Sequence, residues 1–168
     1  MRGAIWFRTD LRIDDNPALF NALNNCEEVV GIYIFSHLQW NAHNESNVKL
    51  EFLIKNLILL EQSLSKLNIP LIVKNTESFD SLPKDLCSFA VSNKVGQIFW
   101  NNEFGVNESK RDLISCSMLE KENVKTSRFD DQVIYQPGHL KTGQGKPFSV
   151  FTPFKRRWIE NFEMDFLD

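Results

Sequence analysis

The chain has 168 residues, 42% of them hydrophobic, enough for one well-cored domain and too few for two of ordinary size. A formal charge of -3 and a pI near 5.7 leave no broad basic footprint, so the chain is not expected to grip nucleic acid strongly by itself. No apolar run approaches the length that crosses a bilayer, and the start Met1-Arg2-Gly3-Ala4-Ile5-Trp6 lacks the apolar core of a secretory signal. Cys26, Cys87 and Cys116 form no CxxC pair and read as reduced thiols in a cytoplasmic protein.

Apolar runs and helical periods alternate along the chain. Ala4 to Phe7 reads as a short buried strand, and Asn16 to Asn25 as a helix with Pro17 in its first turn. Val29 to Phe35 is a continuous β-branched and aromatic run, the pattern of a strand covered on both faces. Ser36 to Ser46 is expected to be a loop. Residues 47 to 67 form the longest predicted helix, with Leu50, Leu53, Ile54, Leu57, Leu60, Leu64 and Leu67 making one apolar face. Val48, Phe52 and Leu59 fall off that stripe, on a side that sheet-covering helices keep polar; they are scattered surface apolars or a contact face.

Further strands are predicted at Ile69 to Lys74, Gln97 to Asn101 and Val124 to Phe129, with helices over Asp80 to Asn93 and Glu108 to Glu122. The economical architecture is α/β: a Rossmann-like, open, five-stranded parallel sheet with helices on both faces. Past residue 134 the alternation stops. Gln136 to Pro147 holds three of the seven glycines and two of the six prolines and reads as loop; Phe148 to Asp168 is an aromatic, amphipathic segment. Residues 1–134 are therefore expected to form the α/β domain, and 135–168 to begin a linker with a short helix.

The densest chemistry lies at 6–19, where the first strand ends and two arginines and three aspartates precede Pro17. Such residues are seldom buried unless paired, so they imply a salt-bridged loop at a strand-to-helix corner, where parallel sheets place ligands. Elsewhere the signals are weaker. Gly138 to Lys146 misses the Walker spacing, and Lys155-Arg156-Arg157 fits a solvated helix face at least as well as a phosphate contact. No metal-ligand cluster and no nucleophile with a spaced base partner is evident.

The string Trp6-Phe7-Arg8-Thr9-Asp10-Leu11-Arg12, followed by Asp14-Asp15-Asn16-Pro17-Ala18-Leu19, closely resembles the opening signature of the DNA photolyase and cryptochrome family. Asn101 to Asp112, Phe129 to Val133 and Val150 to Trp158 (VFTPFKRRW) resemble further family segments in the same order. The resemblance implies an N-terminal antenna domain of a light-driven enzyme. In that family a helical C-terminal domain, absent from these residues, holds FAD, and electron transfer from the reduced flavin splits pyrimidine dimers in damaged DNA. The parent is expected to be a cytoplasmic, monomeric deoxyribodipyrimidine photolyase, a carbon-carbon lyase, and this chain alone to be inactive. The four tryptophans are not expected to be the family's flavin-reducing relay, which the resemblance places in that other domain.

Within the family the chain is most similar to bacterial photolyases whose antenna is methenyltetrahydrofolate. That resemblance places His43, Asn107 and Glu108 beside the pterin, whose mixed edge an amide and a carboxylate can read. The bland alternatives are a solvated His43, and Asn107 as a helix N-cap with Glu108 in the first turn. Arg8, Asp10 and Arg12 are expected to form ion pairs that hold the first loop and brace it against the second domain, rather than to contact ligand. A cryptochrome photoreceptor has the same architecture, and nothing in the chain separates the two. A stand-alone nucleotide-binding α/β protein would carry a glycine-rich loop where Arg8 to Arg12 stand. An interaction domain without a ligand is the remaining reading.

Overall fold

The computed structural model describes residues 1–42 and 44–162. The chain divides into two compact units, Met1–Phe129 and Asp130–Asp168. In the first, five strands alternate with helices: β1 Arg2–Phe7, α1 Pro17–Asn25, β2 Glu28–Ser36, α2 His37–Ala42, α3 Asn47–Ser65, β3 Leu71–Thr76, α4 Leu82–Ser92, β4 Gln97–Asn101, α5 Val106–Lys121 and β5 Lys125–Phe129. All pairings are parallel, in the order β3-β2-β1-β4-β5. The chain winds outward from β1 in both directions, so the order reverses between β1 and β4.

Strand β1 is apolar throughout because both its faces are covered. Ala4 and Trp6 pack with Ile98, Trp100, Leu86, Ala90 and Leu119, under α4 and α5. Ile5 and Phe7 point the other way, onto Phe99, Ala18, Leu19, Ala22, Leu60 and Leu64, under α1 and α3. The period of two in the sequence thus becomes two separate cores. Strand β3 lies at an edge, and its Ile72 and Val73 are exposed.

Two expectations are corrected. Residues 36–46 are not simply a loop, because α2 occupies His37–Ala42. Its six residues are too few for a helical period to show. The leucine stripe of α3 is only partly a core face: Leu60 and Leu64 are buried, Leu50, Leu53 and Leu57 half-buried, and Ile54 and Leu67 exposed. Only the C-terminal turns of α3 lie over the sheet core. Its N-terminal half stands beside the C-terminal strand edge, where Val48 and Phe52 are exposed by 75% and 68%; Leu59, farther along the same side, is exposed by 59%.

The second unit, described through Phe162, contains α6 Phe151–Glu160. The Tyr135 hydroxyl donates to the Asn161 carbonyl, its ring meets Trp158 edge-on at 5.8 Å, and Trp158 stacks on Phe162 at 5.1 Å. Lys155, Arg156 and Arg157 are exposed on this helix.

Buried and exposed leucines of α3 should respond differently to truncation. Leu64→Ala is expected to lower the unfolding free energy by about 2–5 kcal/mol in urea denaturation. Leu59→Ala should change it by less than ~0.5 kcal/mol.

Candidate functional site

The loop after β1 is built around Arg8, which is buried despite its charge. Its Nη1 donates to both carboxylate oxygens of Asp112, at 2.9 Å each. Asp112 also accepts from Arg111 Nε and Nη2 (2.9 and 2.7 Å) and from the Trp100 indole N–H (3.1 Å). Glu103 accepts from Arg111 Nη2 at 2.8 Å and from the Thr9 hydroxyl at 3.0 Å, and lies 3.7 Å from Arg8 Nε. Burial pulls the Arg8 guanidinium below its ordinary pKa, and Arg111 adds to the pull; Asp112 and Glu103 oppose it. A buried charge network is tolerable only when its members satisfy one another, and here two guanidiniums face two carboxylates.

Asp10 turns back into the same loop. It accepts from the Arg8 backbone N–H (2.8 Å) and from Asn101 Nδ2 (2.7 Å). Asn101, at the end of β4, also donates to Asn16 Oδ1 (2.9 Å) and accepts from the Ala18 N–H (3.1 Å). Asn16 caps α1 by accepting from the Leu19 N–H at 3.1 Å. The unpaired N–H groups at the start of α1 are thus met partly by its own cap and partly by a side chain from the neighbouring strand. Arg12 is half-buried and donates from Nη2 to the Asp15 carbonyl at 2.7 Å.

Beside this network a cleft of about 720 Å³ opens at the C-terminal edge of the sheet. Trp6, Tyr33 and Phe35 come to it from the strands, Trp40 from α2, Phe52 from α3 and Phe79 from the β3–α4 connection. Arg8, Glu103 and Arg111 supply its buried charge, and Arg12, Lys49 and Glu108 also line it. Tyr33 has its hydroxyl pKa pushed up to about 12, chiefly by burial and further by the charge of Glu103.

The sequence-derived ligand contacts fare unequally. His43 lies outside the described residues. Glu108 lines the cleft and is half-buried; Asn107 is exposed and is not among the lining residues. Neither is an N-cap: Gly105 holds that place, correcting the reading of Asn107 as the cap. A Cβ at Gly105 would stand 1.9 Å from Glu108 Oε2, so the missing side chain is what lets the Glu108 carboxylate fold back over the helix start. Sequence reasoning did not single out Glu103, Arg111, Asp112 or Asn101. Two adjacent charges on one helix and an amide ending an apolar strand were the available signals.

An open parallel sheet with an aromatic, charge-floored cleft at its switch point defines an α/β domain with a candidate ligand site where such sheets carry them. The family model for DNA photolyase matches residues 4–167, and the chain belongs to that family. It is 34% identical over 159 residues to the deoxyribodipyrimidine photo-lyase of Vibrio cholerae, covering 95% of this chain and 34% of that protein. The fold is also that of a cryptochrome from Synechocystis sp. PCC6803, with a TM-score of 0.82 at 20% identity over 95% of this chain and 33% of that one. An archaeal photolyase from Sulfolobus tokodaii, described with two FAD molecules and a novel light-harvesting cofactor, matches 84% of this chain and 32% of its own at 25% identity, with a TM-score of 0.74. The chain spans about a third of the length of the curated relatives it matches.

Two outcomes test this geometry. Asp112→Ala leaves two buried guanidiniums without their shared carboxylate and is expected to cost about 3–5 kcal/mol in urea denaturation. Tyr33 keeps its proton to about pH 12 in the folded chain, whereas an unfolded tyrosine ionises near 10. Its stabilising contribution is therefore complete below about pH 10 and lost as pH rises toward 12; Tyr33→Phe should flatten this part of the stability–pH curve.

Proposed function

We propose that this chain is the N-terminal antenna domain of a DNA photolyase and that the cleft holds its light-harvesting chromophore. The observation that carries this reading is the aromatic cleft at the sheet's switch point, in a chain of this family. Its residues fit a flat heteroaromatic group. Trp6, Tyr33, Phe35, Trp40, Phe52 and Phe79 offer ring surfaces, Glu108 an acceptor for ring N–H groups, and Thr9, Arg12 and Lys49 donor types. Arg8 Nε and Nη2, buried without hydrogen-bond partners, mark a floor whose polar capacity is not used up within the protein.

The chromophore we propose is methenyltetrahydrofolate, with Glu108 accepting from the pterin edge, Asn107 beside it on the first turn of α5, and His43 as the third contact. When bound, that group supplies absorption of near-ultraviolet and blue light. Arg8, Asp10 and Arg12 serve structure, shaping the loop under the cleft and bracing it against a further domain. The parent protein on this reading is cytoplasmic and monomeric. Its C-terminal domain binds FAD and damaged DNA and splits pyrimidine dimers by electron transfer from the flavin. The exposed Val48, Phe52 and Leu59 side of α3 supports the presence of such a partner. Residues 135–168 are then the start of the linker toward it. The relatives above 30% identity are named photo-lyases, which favours repair over photoreception.

Titration with methenyltetrahydrofolate, followed by the shift of its absorption band, tests the reading. Binding should be weak for the chain alone and tighten when the C-terminal domain is present. Glu108→Gln should weaken it by about tenfold, the worth of one hydrogen bond to a charged group. No binding in either setting would overturn the assignment.

A further inference from the structure

Trp6 is 1% exposed, yet it lines the cleft, and two cations lie near its indole. The guanidinium carbon of Arg8 lies 4.7 Å from the ring centroid and that of Arg111 lies 4.8 Å from it. A second indole, Trp100, meets Trp6 edge-on at 5.5 Å, and its N–H donates to the Asp112 carboxylate that both guanidiniums share. Trp100 is fully buried and is not among the residues lining the cleft. The two tryptophans thus meet one network differently: the one that lines the cleft has two guanidiniums near its ring, and the one away from the cleft donates to the shared carboxylate.

This arrangement bears on what an excited ring in the cleft can do. Indole is the most readily oxidised of the side chains that line the cleft apart from a deprotonated tyrosine, and Tyr33 is held neutral there. An electron-rich indole in contact with a photoexcited aromatic is a ready electron donor. In that step one electron passes from Trp6 to the excited ring, leaving an indole radical cation beside a reduced ring. The same electron then returns, no bond is made or broken, and the absorbed energy is lost as heat. A cation against the indole face is attracted to the neutral ring but repelled by its radical cation. Two such cations, buried where screening is weak, raise the energy of the oxidised state, and the Asp112 and Glu103 carboxylates bonded to them oppose that effect.

We propose that Arg8 and Arg111 act as positioning residues that keep Trp6 from donating an electron to an excited ring in the cleft, so that excitation is passed on instead of quenched. The proposal rests on the reading of the cleft as a chromophore site. The network serves two ends at once. Asp112 and Glu103 hold the guanidiniums in place, and the guanidiniums hold Trp6 in its reduced state.

A tethered fluorophore tests this without depending on chromophore affinity. Asn56 lines the cleft from α3; in the full chain, with Cys26, Cys87 and Cys116 changed to Ala and Trp40, the other tryptophan lining the cleft, changed to Phe, Asn56→Cys is labelled with bimane, an aromatic emitter quenched by tryptophan contact. The emission lifetime is then compared across variants. Arg111→Gln should shorten it at least about threefold, because the ring then loses one of its two cations. Adding Trp6→Phe to Arg111→Gln should restore the parent lifetime, and Arg111→Lys, which keeps the charge, should stay near it. An unchanged lifetime in Arg111→Gln, or shortening that persists after Trp6→Phe, would overturn the proposal. If Arg111→Gln does not fold, Trp6→Phe alone decides: an unchanged lifetime supports a silenced Trp6, and a lengthened one refutes it. A failed folate titration beside a positive lifetime result would reject the chromophore reading while leaving the electrostatic effect standing.

Discussion

The buried pairing of Arg8 with Asp112 ties the exit of the central strand to α5, across the point where the strand order reverses. Both groups have left water, and each is acceptable there only because the other is fixed opposite it with two hydrogen bonds. Once that pair is placed, much else follows. Arg111 is drawn onto the same carboxylate, Glu103 onto Arg111, and Thr9 onto Glu103. Asp10, released from pairing with Arg8's side chain, caps the loop backbone and takes up Asn101, which in turn orients Asn16 and the start of α1. The loop between β1 and α1 is therefore rigid for electrostatic reasons, where glycine-rich loops in other parallel-sheet proteins are shaped by backbone freedom.

That difference sets the character of the cleft. A glycine-rich turn at a helix N-terminus presents bare N–H groups and selects phosphate. Here the charges under the cleft are paired with one another except at Arg8 Nε and Nη2, and its walls combine aromatic surface with polar groups. Such a floor suits a flat, largely uncharged ring more than an anion. It also sets the electrostatic surroundings of Trp6, one of the two tryptophans that line the cleft.

The alternation of strand and helix was legible because both faces of the sheet are covered, so central strands had to be continuous apolar runs. Strands β1, β2 and β4 show this plainly. The reading was weaker wherever local pattern and tertiary packing part company. Helix α2 is too short to carry a period, and α3 has a leucine stripe longer than the core it can cover. Its N-terminal turns overhang the strand edge, so Ile54 is exposed while Leu64 is buried, although both belong to one stripe. Glu108 was picked out through a family resemblance and lines the cleft; Asn107, its neighbour, is exposed and is not among the lining residues, adjacent residues on a helix being a hundred degrees apart.

The sequence by itself determined the layered α/β class, the family, and the presence of a paired-charge loop after the first strand. These depend on residue types at short spacings, and composition and periodicity record them. Only the tertiary structure decided the partners. Arg8 finds its carboxylate 104 positions away, on a helix whose burial of Arg111 and Asp112 no local pattern announces. The opening run of charges could have faced a ligand or a neighbour; in the fold Arg8 Nη1 meets Asp112 and Asp10 meets Asn101, while both residues also line the cleft. Long-range pairing of charged side chains leaves no periodic trace in the chain, because a charge is satisfied by whatever the fold brings within hydrogen-bonding distance.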